Sequence, residues 1–302
     1  MRKIYVFGSF VMDHTTRCNA VPRDGESVFG ESFSVSFGGK GINQAMMIKR
    51  LGGDVTMIGA LGKDNNGEQF KKLLLDNGFD ISKVFFKDEV ATGVSNIIID
   101  KDGQNRIIVV LGANDYFESK DVLSLKDSIE EDSIFLIQNE IPTDTIKTVV
   151  ELGYEKHCTI VLNTAPYKEI DLDTLNKITY ITPNENEASD LFGLNEYNEE
   201  EILKRFDSLK TGCLIMTLGD KGSLLYDHKS KIVNKPYKVK VVDTVGAGDA
   251  FNGGFVYGLS LDYNVNKCLE LANACGALTI QKKGALVSQP SKKEVEDFLK
   301  NN

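Results

Sequence analysis

From Ser133 onward the chain alternates short apolar runs with longer segments of helical period. This rhythm restricts the fold more than any other feature. Ser133–Gln138, Thr159–Asn163, Tyr180–Thr182 and Cys213–Thr217 read as strands. Pro142–Leu152, the stretch from Pro183 to Leu191, and Glu201–Leu209 read as intervening helices. That order predicts a parallel, doubly wound α/β sheet with helices on both faces and right-handed crossovers. Lys3–Phe7 and Val55–Gly59 add strands on the N-terminal side, with helices at Ile42–Leu51 and Gly67–Asn77. Gly222–Tyr226 and Lys238–Val242 are expected as further strands. Ala247–Leu259, Val265–Thr279 and Lys292–Lys300 are expected as helices.

Two stretches break the rhythm. Ser27–Phe37 shows partial strand alternation. Val94–Asp100 and Arg106–Val110 flank Asp102-Gly103, the signature of a hairpin turn. A hairpin set between strand–helix units does not fit the main sheet. These pieces instead predict a small second sheet, a lid that would exclude water from the strand ends. The expected organisation is one domain over 1–302: a mostly parallel sheet flanked by helices, with lid strands inserted at about 14–37 and 93–110.

Composition narrows the partners. The net charge of −9 argues against nucleic acid as the main partner, because phosphate backbones recruit stripes of Lys and Arg. A small anion is still allowed, since backbone N–H groups can bind one in an acidic protein. Five scattered cysteines form no CxxC pair, which predicts a reduced, cytoplasmic protein without a disulfide framework. No apolar run approaches the roughly 18 residues that would suggest a membrane span.

The chemistry concentrates in Val241–Gly254. A β-branched run passes through Asp243, Thr244, Val245, Gly246, Ala247 and Gly248 into a helical pattern beginning near Asp249. Gly246, Ala247 and Gly248 allow close approach of a ligand, and N–H groups at a helix start favour an anion. A carboxylate beside such a hole makes sense if a hydroxyl lies between them, with Asp249 taking its proton as it attacks phosphorus. The same segment also reads as a glycine-rich turn with Asp249 as a helix cap. Upstream, Gly38-Gly39-Lys40-Gly41 opens a helix, but without the Ser or Thr that a Walker A loop needs after Lys40. Asp13, Glu140, Asn163, Asn184, Thr217, Gly219 and Asp249 all follow strands, where open α/β sheets bind ligands.

Taken together these stretches resemble the ribokinase-like (PfkB-type) carbohydrate kinase family over nearly the whole chain. The resemblance rests on Phe37-Gly-Gly-Lys-Gly-Ile-Asn-Gln-Ala45, Gln138-Asn-Glu140, Leu162-Asn-Thr-Ala-Pro166, Ile181–Ala188, Thr217-Leu-Gly219, Asp243–Gly253 and Lys283-Gly-Ala285. It implies ATP-dependent phosphorylation of a sugar hydroxyl, with D-ribose to ribose 5-phosphate as the leading reaction. By resemblance Asp249 is the base, and Gly246, Ala247 and Gly248 form the anion hole. Asp13, Gly39, Lys40, Asn43 and Glu140 contact the sugar. Asn184, Glu187, Thr217, Gly219, Gly248 and Asn273 serve the nucleotide, Glu187 near Mg2+. Asp243, Val245, Thr279, Lys282, Gly284 and Ser288 match a monovalent-cation loop, potassium being the expected ion, bound largely through carbonyls. Pairing of two chains through the lid is a further implication.

One departure stands out. The ribose kinases of the family usually carry a sugar-bonding Asn where this chain has Val11. Losing that contact can shift preference substantially. Fructose, another ketose or a nucleoside therefore stay open. Phe10, Phe37 and Phe117 could stack on a base, although 16 Phe make core packing the better reading. A non-catalytic sensor on the same scaffold would need neither Asp249 nor its glycine turn. A dehydrogenase lacks its Gly-x-Gly-x-x-Gly turn after the first strand. His14, His157 and His228 have no metal-ligand spacing.

Overall fold

A computed structural model describes all residues, Met1–Asn302. In chain order its strands are β1 (Ile4–Phe7), β2 (Val11–Cys18), β3 (Gly30–Gly38), β4 (Val55–Gly62), β5 (Val84–Lys87), β6 (Gly93–Ile99), β7 (Asn105–Val110), β8 (Ile134–Gln138), β9 (Thr159–Asn163), β10 (Tyr180–Ile181), β11 (Cys213–Thr217), β12 (Ser223–Tyr226) and β13 (Lys231–Asn234). Nine form one sheet in the order β13-β12-β11-β10-β9-β8-β1-β4-β5; the other four form a second sheet, β3-β2-β6-β7. The main sheet is parallel from β5 to β11; at the far edge β12 pairs antiparallel with both β11 and β13.

The helices are α1 (Lys40–Arg50), α2 (Asn65–Asp76), α3 (Ser119–Ser124), α4 (Thr143–Glu155), α5 (Leu172–Leu175), α6 (Glu185–Leu191), α7 (Glu199–Phe206), α8 (Ala247–Ser260), α9 (Val265–Thr279) and α10 (Lys292–Asn301). They cover both faces of the sheet, and the two-residue period of each strand divides the core between them. Tyr5 and Phe7 point to one side, with Ile146 and Val149 of α4 and Phe206 of α7. Ile4 and Val6 point to the other, with Ile42 and Met46 of α1 and Phe255 of α8. Both faces are apolar because both are covered, which explains why β1 has no polar alternation.

The second sheet is only partly covered. Every residue of β7 and most of β3 are exposed, including Phe33, Ile107 and Ile108. β6 and β7 form the expected hairpin, and β2 and β3 pair antiparallel. The link between the two hairpins, β2 with β6, is parallel.

One expected strand is absent. Lys238–Val242 has no ladder partner; the edge strand is instead Lys231–Asn234. Pro236, which lacks an N–H, follows that strand closely and cannot extend the ladder. The chain beyond it is tied to the end of α9, where the Val242 and Asp243 N–H groups donate to Ile280 O. Phe10 and Phe117 are fully buried, and Phe37 packs edge-on against Phe70. These rings are core, so the base-stacking alternative loses its residues.

Candidate active site

The sheet order reverses direction at β1. From there the chain builds outward through β4 and β5, then returns to β8 on the other side. In open α/β sheets the crevice at such a reversal, beyond the carboxyl ends of the strands, is the place for a ligand. Ser9 follows β1 and Glu140 follows β8, and the Ser9 hydroxyl donates to Glu140 Oε2. The same oxygen accepts the backbone N–H of Lys40 at 2.8 Å. Glu140 therefore caps α1, whose own N-cap, Gly39, has no side chain to do so. Gly39 sits at φ 100°, and a β-carbon there would stand 2.9 Å from both Ser9 O and Val11 N. Only glycine lets the start of α1 lie this close to the end of β1.

Asp249 is the third residue of α8 and is nearly fully buried. Its carboxylate does not cap its own helix. Oδ2 accepts from Asn43 Nδ2 at 3.0 Å and Oδ1 from Gln44 Nε2 at 2.9 Å, so both donors come from α1. Asn43 Oδ1 is buried and unpartnered. The cap position is Gly246, in the left-handed conformation at φ 79°. Among the first amides of α8, that of Ala247 turns back to Thr244 O at 3.3 Å. Those of Gly246, Gly248 and Asp249 donate to no protein group. Three free N–H groups at a helix start, beside a held carboxylate, form an anion site with an acceptor at its rim.

Asp13 does not follow a strand as its sequence position suggested: it is the third residue of β2, within the second sheet. Ser95 of β6 donates its hydroxyl to Oδ1 at 2.5 Å. Burial raises the Asp13 pKa above the ordinary aspartate range; the Ser95 hydroxyl opposes this, and Glu140 and Asp249 add to the rise. The half-buried Lys40 lies among Asp249, Glu140 and Glu187. Burial disfavours its charge, but the three carboxylates outweigh that effect and its pKa is raised. Lys40 is thus a cation set among acidic groups on both sides of Asp249.

On the far side of α8 opens a cleft of about 720 Å³. Asn184, Thr217, Gly219, Ala247, Gly248 and Asn273 all line it, so the expected nucleotide-side residues do meet in one place. A β-carbon on Gly248 would meet nothing within 4 Å, which leaves that wall open to a ligand. Asn273 also ties α9 to the antiparallel edge, donating to Ser223 Oγ and Asn234 Oδ1. Glu187 does not line the cleft itself. It closes a capping box with Asn184 at the start of α6 and accepts from Thr164. Burial raises its pKa; the Asn184 N–H, Lys40 and Thr164 lower it.

Asp243 bridges two loops, accepting the N–H of Val245 at 3.1 Å and of Gly284 at 2.9 Å. The carbonyls of Asp243, Val245, Lys282 and Gly284 accept no hydrogen bond. The side chains of this set are committed elsewhere: Thr279 to Cys275 O, Lys282 to Glu294 and Ser288 to Ala285 O. No group of three or more His, Cys, Asp or Glu is placed to hold a metal ion. Four free carbonyls thus lie on the two loops that Asp243 pins together.

Sequence reasoning missed several participants. Ser9 and Ser95 gave no signal beyond being small and polar. Val239 and Val241 line the cleft from the segment expected to be a strand, with Tyr237 just before it. Gln44 sat inside a quoted motif without a role.

A parallel sheet with a nucleotide-sized cleft on one side of an anion-binding helix start, and a recess of carboxylates and amides on the other, defines a phosphotransferase for a small hydroxylated substrate. The chain belongs to the pfkB family of carbohydrate kinases, whose model matches residues 1–292. It is similar to a ribokinase of Lactococcus lactis, 38% identical over 301 residues, 99% of this chain and 98% of that protein. Among solved structures it resembles a ribokinase of Thermotoga maritima at 32% identity and TM-score 0.91, covering all of both chains. It also resembles the Arabidopsis thaliana ribokinase complexed with ribose and ATP, at 29% identity and TM-score 0.90 over 99% of each chain.

Proposed function

We propose that this carbohydrate kinase phosphorylates D-ribose at its terminal hydroxyl, using ATP, to give ribose 5-phosphate. The observation that carries the reading is the position of Asp249. It is fixed by two amides from α1 and stands beside three free N–H groups, between the Asp13–Glu140 recess and the nucleotide cleft. The names of the similar proteins support ribose as the sugar.

In this reading Asp13, Gly39, Asn43 and Glu140 bind the sugar hydroxyls, and Asn43 Oδ1 supplies an acceptor that is otherwise unpaired. Asp249 Oδ accepts the hydroxyl proton as the oxygen attacks phosphorus. The free amides of α8 stabilise negative charge as it develops on the transferred group, and Lys40 offsets the surrounding carboxylates. Mg2+ would accompany the ATP phosphates and neutralise their charge; Glu185 and Asp220 line the cleft, and Glu187, at the start of α6, would stand toward the metal. Carbonyls of Asp243, Val245, Lys282 and Gly284 would hold a potassium ion, which would order the loop before α8.

Val11 is 3% exposed and apolar where ribose kinases of the family carry Asn. This observation favours, as the second reading, the same chemistry on a ketose such as fructose. Pairing of two chains through the second sheet would cover Phe33, Ile107 and Ile108. No helix is long and apolar enough to cross a membrane, and the reading places the enzyme in the cytoplasm.

The test is a coupled ADP-release assay with Mg·ATP and ribose, deoxyribose, fructose, tagatose or adenosine, with and without potassium. Turnover with ribose foremost supports the proposal. Turnover with another member keeps the mechanism and moves the substrate. Silence across the panel, from folded protein that binds ATP, contradicts the proposal.

A further inference from the structure

Gln44 is fully buried in the middle of α1's first turns, and every hydrogen-bonding direction of its amide N–H₂ is used. Nε2 donates to Asp249 Oδ1 at 2.9 Å and to Asn163 Oδ1 at 3.0 Å. Oε1 accepts from Gln138 Nε2 at 2.7 Å. Its orientation is not arbitrary. The Thr182 carbonyl can only accept, so Asn163 must present Nδ2 to it, which it does at 2.9 Å. Asn163 Oδ1 then faces Gln44, and Gln44 must answer with its N–H₂. That leaves Oε1 for Gln138. A flipped Gln44 would aim its oxygen at two acceptors, Asn163 Oδ1 and Asp249 Oδ1. One backbone carbonyl on the nucleotide side thus fixes, through two amides, the donor that reaches Asp249.

We infer that Gln44 is a positioning residue for the base: it holds the Asp249 carboxylate turned into the sugar recess and never touches substrate itself. The inference rests on the reading of Asp249 as base. Its two donors are both spent on protein, and it has no exposed surface. Asn43 holds the second carboxylate oxygen. With both oxygens tethered, Asp249 cannot rotate toward Lys40, the cation whose charge it helps to stabilise. Without Gln44 the carboxylate swings on one tether and pairs with Lys40, and the hydroxyl loses its acceptor. Binding of sugar and of ATP uses other groups and stays.

The experiment is steady-state kinetics on Gln44→Met, Asp249→Asn and the double variant, with ribose or whichever sugar the panel identifies. Gln44→Met is expected to lower kcat roughly 10- to 100-fold, the size of a lost hydrogen bond to a charged group. Both KM values should stay within about threefold. In the Asp249→Asn background Gln44→Met should cost nothing further, because it acts through the carboxylate. Wild-type kcat in Gln44→Met, or an additive loss in the double variant, overturns the inference. Should Gln44→Met fail to fold, Gln44→Glu keeps the shape and the acceptor for Gln138. It sets a second carboxyl against Asp249, and such a pair retains a proton to higher pH. The acid limb of kcat then moves upward; a wild-type profile overturns the inference. If Asp249→Asn alone keeps near-normal turnover, the base assignment has failed instead, which is a separate result.

Discussion

Asp13 occupies the space that a side chain on Gly38 would need. The two residues sit on neighbouring strands of the second sheet, and a β-carbon on Gly38 would overlap Asp13 Oδ2 and stand 2.6 Å from its Cγ. The glycine is there for the carboxylate. Gly38→Ala should push Asp13 off its hydrogen bond with Ser95 and out of register with the sugar. The expected result is a sugar KM raised roughly 10- to 100-fold with ATP KM unchanged, from steady-state kinetics. An unchanged sugar KM would remove Asp13 from the sugar site.

The same carboxylate predicts a pH dependence. Burial, Glu140 and Asp249 raise the Asp13 pKa, against the Ser95 hydroxyl and His14. An ionised Asp13 accepts hydrogen bonds from sugar hydroxyls; a protonated one gives up an acceptor. Sugar therefore binds best above the Asp13 pKa, and its KM rises as pH falls through that value. Because the pKa is raised, the rise should begin at a higher pH than an ordinary aspartate would give. The check is sugar KM and ATP KM measured side by side on the acid side of neutrality. Parallel changes in both would contradict the assignment.

Two glycines of one turn should separate strain from ligand contact. Gly246 has φ 79°, and a β-carbon there would stand 2.8 Å from Ala285 Cα. Gly246→Ala should lose about 1–3 kcal/mol of stability from strain, seen as a lower Tm, together with kcat. Gly248 has no protein neighbour within 4 Å of that position. Gly248→Ala should leave Tm unchanged while kcat falls or ATP KM rises. Equal Tm losses in both would mean that the Gly248 wall does not face a ligand.

Much of this arrangement was legible in the sequence because it is local. The doubly wound sheet followed from hydrophobic period, and the Gly246–Asp249 turn from residue type and adjacency. What was not legible depends on distant pairings. Glu140 caps a helix that begins 100 residues earlier in the chain, and nothing around Glu140 announces it. Gln44 meets Gln138, Asn163 and Asp249 at separations of 94, 119 and 205 residues. In sequence it is only a polar residue on an apolar helix. Lys238–Val242 had strand composition, yet Pro236 and the end of α9 pulled it out of the sheet, and part of it lines the cleft instead. Local propensity lost there to tertiary context.

In the proposed mechanism Asp249 takes the proton from the sugar hydroxyl. The most direct measurement is kcat of Asp249→Asn, alongside its sugar affinity by calorimetry. Asn keeps the size of the group and removes the basic oxygen pair. Loss of the base should lower kcat roughly 10²- to 10⁴-fold, with the protein folded and still binding sugar. A folded variant that binds sugar and turns over at near wild-type rate would contradict it.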